Sequence, residues 1–182
     1  MRSKEEQVLE PFFNSLQYWH FDELLAKVHI SKPQLSLWLK RYEKEGLIKR
    51  VKPKGKMPYY TANVDTAEFQ NRKKLFGLKR LTDSGLITHL STLDGAKAVV
   101  LFGSFARSDW YDHSDIDIFI YGSDENFEQG KYELKLKRDI QVHTAKKPKD
   151  LRRIDKMLPY IVSGNFIKGS IDDLGVEVHA KI

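Results

Sequence analysis

Two acids stand two residues apart in the run Asp115-Ile-Asp-Ile-Phe-Ile120. The alternation predicts a strand with Ile116, Ile118 and Ile120 on one face and Asp115 and Asp117 on the other. On a strand, residues two apart have α-carbons roughly 6.5–7 Å apart and side chains pointing the same way. Two like charges so placed repel, so a positive group is expected between them. Divalent cations suit the spacing, because metal pairs in phosphoryl-transfer sites lie roughly 3.5–4 Å apart and two flanking carboxylates can bracket them. Mg2+ in particular is commonly held by one or two carboxylates, with water and substrate phosphates completing its shell.

A second pair of chemically suggestive residues, Gly103-Ser104, lies upstream. It follows Ala98-Val-Val-Leu-Phe102, an unbroken apolar run that reads as a buried strand, and is expected to turn the chain into a short helix. Gly103 lets backbone approach a phosphate with no side chain in the way, Ser104 can donate its hydroxyl, and free amides at a helix start favour an anion.

The order strand, Gly103-Ser104, ten residues, then Asp115-Ile116-Asp117 resembles the minimal nucleotidyltransferase signature of the DNA polymerase beta-like superfamily. The continuation Gly-Ser-Phe-Ala-Arg107 strengthens the likeness, which runs over about residues 95–145. The resemblance implies that Gly103 and Ser104 bind the nucleotide's phosphates. It also implies that Asp115 and Asp117 are the catalytic carboxylates and hold one or two Mg2+ ions. The substrate is then a nucleoside triphosphate, with ATP the expected one, and attack on its α-phosphate releases pyrophosphate and leaves a nucleoside monophosphate on an unidentified acceptor. Many relatives carry a third carboxylate on the next strand. Here that strand is Ile140-Gln-Val-His143, and the position falls on Gln141, which is neither a base nor a strong metal ligand. Asp139 and His143 share a strand face and are the substitutes on offer. Arg107 is expected to be a structural ion-pair partner, and Asp109, Asp112 and His113 to be solvated or turn-forming.

The first third of the chain follows a different logic. Leu9, Phe12, Phe13 and Leu16 predict a first helix over residues 4–19, kinked at Pro11 or starting near Glu10. A second runs from Phe21 to Val28 with Leu24, Leu25 and Val28 inward. Ser31-Lys-Pro-Gln34 is a capping box opening a third helix, which buries Leu35, Trp38, Leu39 and Tyr42 and ends at Gly46. Residues 47–51 and 58–62 then pair as a hairpin. Over about residues 5–64 this resembles a winged helix-turn-helix, whose second turn helix enters the major groove. The residues of that helix not needed for the core, Lys32, Gln34, Ser36, Lys40 and Arg41, together with the wing residues Lys52, Lys54 and Lys56, are the expected DNA contacts. The bland alternative is a solvated turn, or a winged helix used for protein contacts.

Charge distribution points the same way. The net charge is +6, and residues 1–64 hold twelve Lys and Arg against seven Asp and Glu, a concentrated positive field that favours polyanions. Cysteine is absent, which excludes disulfides and thiolate metal sites. The polar N-terminus and the lack of a long apolar run predict a cytoplasmic protein with no membrane partner.

The remaining chain is read as helix over 65–93 with a break at Asp83-Ser-Gly85, carrying Phe69, Leu75, Phe76, Leu78 and Leu81. Residues 126–137 follow as helix and 139–144 as a third strand. Residues 151–168 are read as helix interrupted at Pro159, and 174–182 as a last strand. The expected class is α/β (α+β): a winged-helix domain over 1–64, a helical connector over 65–94 and a nucleotidyltransferase domain with a small mixed sheet over 95–182. Gly164-Asn-Phe-Ile-Lys-Gly169 has phosphate-loop glycine spacing but Ser170 in place of the lysine, and the six histidines lack metal-ligand spacing.

Two functions remain open. One is a nucleotidyltransferase coupled to a DNA-binding winged helix. The other is a DNA-binding regulator or antitoxin whose nucleotidyltransferase domain senses nucleotide or is inactive. The partners expected are a nucleoside triphosphate, DNA, a toxin protein if the antitoxin reading holds, and a second copy of the chain, since winged helices often pair.

Overall fold

The computed structural model describes residues 3–175 and divides the chain into two compact units. Unit 1 comprises Met1–Phe76 with Trp110–Asp112, and unit 2 comprises Gly77–Asp109 with His113–Ile182. Among the described residues no helix is long and apolar enough to cross a membrane.

Unit 1 opens with α1 (Lys4–Asn14), capped by Ser3 and Glu6 in a reciprocal box. Pro11 is accommodated inside this helix, and Val8, Leu9, Phe12 and Phe13 are buried. The helix stops at Asn14, so Leu16, expected inward, lies beyond it and is exposed. α2 (Phe21–Lys27) and α3 (Lys32–Lys44) follow. The Ser31 box closes as expected: the Gln34 amide donates to Ser31 Oγ at 3.4 Å, and the Ser31 amide to Gln34 Oε1 at 3.3 Å. Leu35, Leu39 and Tyr42 are buried, while Trp38 is only half-buried. Gly46, at φ +72°, takes the left-handed turn into β1 (Ile48–Val51), which pairs antiparallel with β2 (Tyr59–Ala62). Trp19 adds a short third partner by exchanging two backbone hydrogen bonds with Tyr60, both 2.8 Å.

α4 (Ala67–Asp83) begins in unit 1, where Phe69 and Phe76 pack on Phe13 at ring-centroid distances of 5.3 and 5.1 Å. Trp110 stacks on Phe76 at 6.2 Å, and the Lys73 ammonium lies 4.8 Å from the Trp110 ring centre. Leu75 points to solvent instead of the core, because it sits on the face of α4 opposite Phe69, Lys73 and Phe76.

Unit 2 takes over at the end of α4, breaks at Gly85 (φ +85°) and continues as α5 (Leu86–Ser91). Its sheet is small and mixed, in the order β5 (Ile140–Ala145), β4 (Ile116–Gly122), β3 (Ala96–Phe102), β6 (Asn165–Lys168). β3–β4 and β3–β6 are antiparallel and β4–β5 parallel. The short α6 (Gly103–Arg107) joins β3 towards β4, and α7 (Gln129–Leu136) makes the crossover to β5. Ile116, Ile118 and Ile120 are fully buried on one sheet face. On the other, Val100, Phe102, Phe119, Tyr121 and Ala145 form a core covered by α8 (Pro148–Leu151), the 3-10 turn Arg152–Ile154 and α9 (Leu158–Val162).

The helix expected over 151–168 is therefore too long. It ends by Val162, and residues 165–168 form the edge strand β6. Gly164 makes the change possible: a β-carbon there would lie 2.6 Å from the Leu101 carbonyl oxygen, so only glycine lets the chain turn flat against β3. The final strand expected over 174–182 falls mostly outside the described residues; Leu174 itself closes a 3-10 turn.

Candidate active site

The site forms where β3 ends and β4 begins. Antiparallel pairing sets Phe102 opposite Asp117, so Gly103, the next residue, emerges beside the Asp117 carboxylate. Gly103 adopts φ +68°, and a β-carbon built on it would lie 2.0 Å from Asp117 Oδ2. Glycine is demanded twice here, by backbone conformation and by the carboxylate that fills the space. Ser104 follows at the start of α6 and is half-buried. α6 ends after one turn at Ser108, a buried serine at φ +67° whose amide donates to the Ser104 carbonyl.

Asp115 lies one residue before β4, and both it and Asp117 are half-buried. Parallel pairing places Gln141 of β5 opposite Asp117. The Gln141 amide donates to Asp115 Oδ2 at 2.5 Å, so the position where a third carboxylate was expected carries a neutral donor bound to the first. Burial pushes the Asp117 carboxyl above the ordinary aspartate range; His143 pulls it back down, Asp115 pushes it up and Arg107 pulls it down. The His143 ring also meets Phe102 edge-on at 5.6 Å, on the same sheet face. Asp139 is exposed and uses its backbone carbonyl to accept from the Ile116 amide.

The donor set is two carboxylates and no nitrogen or sulfur cluster; among the described residues no group of three or more His, Asp or Glu could hold a metal. Two hard oxygen donors fit Mg2+ with water and phosphate completing its shell, and do not fit a closed structural metal site.

Gly103, Ser104, Asp115 and Asp117 thus come together in unit 2. Arg107 does pair locally, with Asp109 at 3.0 Å, as expected of a structural residue. The phosphate-loop-like run 164–169 is used as β6 and its flanking turns. The hydrogen bond from Gln141 to Asp115 was not read from the sequence; its only signal was the parallel register that a βαβ crossover imposes.

In unit 1, Lys32, Lys40 and Arg41 are exposed on α3 and Lys52, Lys54 and Lys56 are exposed in the β1–β2 connection. Ser36 is half-buried. Two of the expected contacts are engaged internally: Gln34 in the α3 cap, and Arg41 with Glu45 at 2.6 Å and over the Trp38 ring at 5.1 Å.

Residues 85–171 match the model of the family described as Polymerase beta, Nucleotidyltransferase. No curated protein and no solved structure matches the chain.

Proposed function

We infer that unit 2, a domain of the nucleotidyltransferase family over residues 85–171, transfers a nucleoside monophosphate from a nucleoside triphosphate to a hydroxyl-bearing acceptor. The observation that carries this reading is the approach of Asp117 to Gly103, which joins the carboxylate half of the signature to its phosphate-binding half. Asp115 and Asp117 would hold Mg2+, which when bound neutralises charge on the triphosphate as the α-phosphate is attacked. Gly103 makes room for the Asp117 carboxylate beside the phosphate-binding turn, and the Ser104 hydroxyl donates to a phosphate oxygen. Gln141 orients Asp115 through its amide. The acceptor oxygen bonds to the α-phosphorus, the α–β bridge breaks, pyrophosphate departs, and the acceptor's hydroxyl proton passes to water. Incubation with labelled ATP and Mg2+ tests this: label transfer or pyrophosphate release should be present in the natural chain and lost in Asp115→Ala plus Asp117→Ala. Equal turnover by the double variant would sink the reading.

Unit 1 is proposed to bind DNA through α3 and the β1–β2 wing, which supports recruitment of the transfer activity to a nucleic acid. A second reading keeps the DNA binding and makes unit 2 a nucleotide sensor, as in a regulator or antitoxin. Gln141 favours it, because an amide cannot take the acceptor's proton. Tight duplex binding with no turnover on any acceptor would select this second reading.

A further inference from the structure

Three rings stand together on the outer face of the small sheet in unit 1. Trp19 pairs antiparallel with Tyr60 of β2, and Tyr60 with Arg50 of β1. Side chains alternate along a strand, and directly opposed residues share a face. Trp19, Ile48 and Ala62 therefore lie on one side, and all three are buried. Tyr18, His20 and Tyr59 lie on the other, with Lys49 of β1 on the same side.

The rings touch one another. The Tyr18 and Tyr59 ring centres are 5.0 Å apart, and the His20 ring stands edge-on to both at 5.9 and 6.4 Å. The His20 ring is anchored by Nδ1, which donates to the Pro58 carbonyl at 3.0 Å. Tyr18 nevertheless remains 60% exposed, and Tyr59 and His20 are half-buried. Core packing does not account for a tyrosine held this way, with its ring propped against two others and open to solvent.

The surroundings are basic. Residues 46–64 carry Lys49, Arg50, Lys52, Lys54 and Lys56 and no acid. All five are exposed, and among the described residues none of them forms an ion pair. The acids next in sequence to the rings are Asp22 and Glu23, and the Glu23 carboxylate is turned onto the His20 backbone amide at 2.7 Å.

Resting on the nucleic-acid reading of unit 1, we propose that this face stacks the unpaired bases of a single-stranded segment. A duplex keeps its base faces covered, so it gives these rings nothing to lie against. A single strand offers bare bases and phosphates together, which suits grouped rings beside grouped cations. An apolar protein surface would match the rings and leave five cations unanswered. The aromatic face thus extends the unit's binding from the groove-reading helix α3 to strands that are open or frayed.

The test uses the full chain without Mg2+, a labelled mixed-sequence 12-nucleotide DNA strand and the corresponding blunt duplex, with binding followed by anisotropy against salt. Tyr18→Ala should weaken strand binding about 5- to 100-fold, the range that loss of one stacked base gives, and leave duplex binding unchanged. Its salt slope should not move, because no phosphate contact is lost. Tyr18→Phe should bind the strand as the natural chain does, and Tyr18→Leu should not, since an apolar side chain without a flat ring cannot stack. Replacing Lys52, Lys54 and Lys56 with serine should instead lower the strand's salt slope by about 2, at roughly 0.7 per phosphate contact. Equal strand affinity in Tyr18→Ala and the natural chain, with duplex binding intact, overturns the assignment of this face alone. Full binding by Tyr18→Leu overturns stacking. Absence of binding to either probe overturns it together with the duplex reading. Self-association in sedimentation that Tyr18→Ala abolishes, without an effect on strand affinity, reassigns the face to a second copy of the chain and overturns the proposal.

Discussion

Asp117 occupies the space where a side chain on Gly103 would begin: a β-carbon at residue 103 would stand 2.0 Å from Asp117 Oδ2. The two residues lie far apart in sequence and meet because β3 and β4 pair with Phe102 opposite Asp117.

Gly103→Ala should consequently do two kinds of damage. The left-handed conformation at φ +68° costs an alanine about 1–2 kcal/mol, and the methyl group displaces the carboxylate. A lower midpoint in urea together with loss of Mg2+-dependent ATP binding is the expected result. Loss of stability with ATP binding intact would separate the glycine from the site.

Gln141→Glu restores a third carboxylate beside Asp115, whose Oδ2 now accepts the glutamine amide. Two carboxylates about 4 Å apart repel by about 1 kcal/mol in water, which is about 2–4 °C in melting temperature for a chain of this size. The variant should melt lower than the natural chain without Mg2+ and recover the difference with it. Melting curves at several Mg2+ concentrations would show this, and a gap that Mg2+ leaves untouched would count against a shared metal site.

The pH dependence follows from the burial of Asp117. Its carboxyl is raised above the ordinary 3.8 in the folded chain, so protonation favours folding. That contribution is full below the unfolded value and is lost as pH rises through the folded one. In metal-free protein Asp117→Asn should therefore be the more stable form at pH 7, with its advantage vanishing as pH falls below about 4. Thermal melts between pH 3 and 8 check the sign. Mg2+ binding should weaken over the same acid range in the natural chain and be lost in the variant.

For unit 1, replacing Lys52, Lys54 and Lys56 with serine should lower the salt slope of duplex binding by about 2.7, at roughly 0.9 per phosphate contact. Lys40→Gln should weaken duplex binding more than Arg41→Gln does, because the Arg41 guanidinium is already held by Glu45 and Trp38. Titration of a mixed-sequence duplex at several salt concentrations distinguishes the two.

The residues that could be placed from sequence were those with a local physical reason. Ser31 and Gln34 announce a helix start by themselves, and Ile116, Ile118 and Ile120 announce a strand with one buried face. The position of Gln141 was legible only through the resemblance, which puts a third carboxylate on the next strand; the parallel pairing that sets it opposite Asp117 came from the structure. What stayed hidden depends on distant partners. Residues 165–168 look helical until β3 offers them an edge, and Leu75 looks like core until the face of α4 is set by Phe69 and Phe76. The engagement of Arg41 by Glu45 and the Trp38 ring was also invisible, since an exposed arginine on that helix reads equally well as a contact to DNA.

Trp110 sits between the two halves of the nucleotidyltransferase signature yet is buried in unit 1, against Phe76 and under the Lys73 ammonium. The neighbouring Asp112 amide donates to the Asn14 carbonyl at 2.9 Å. Neither unit is thus a continuous length of polypeptide, and dissecting the gene at residue 76 would orphan an indole in one product while leaving a hole in the other. A clean separation calls for Trp110 to be made polar in the fragment that starts at Gly77, and for the fragment that ends at Phe76 to carry a graft of the missing tripeptide.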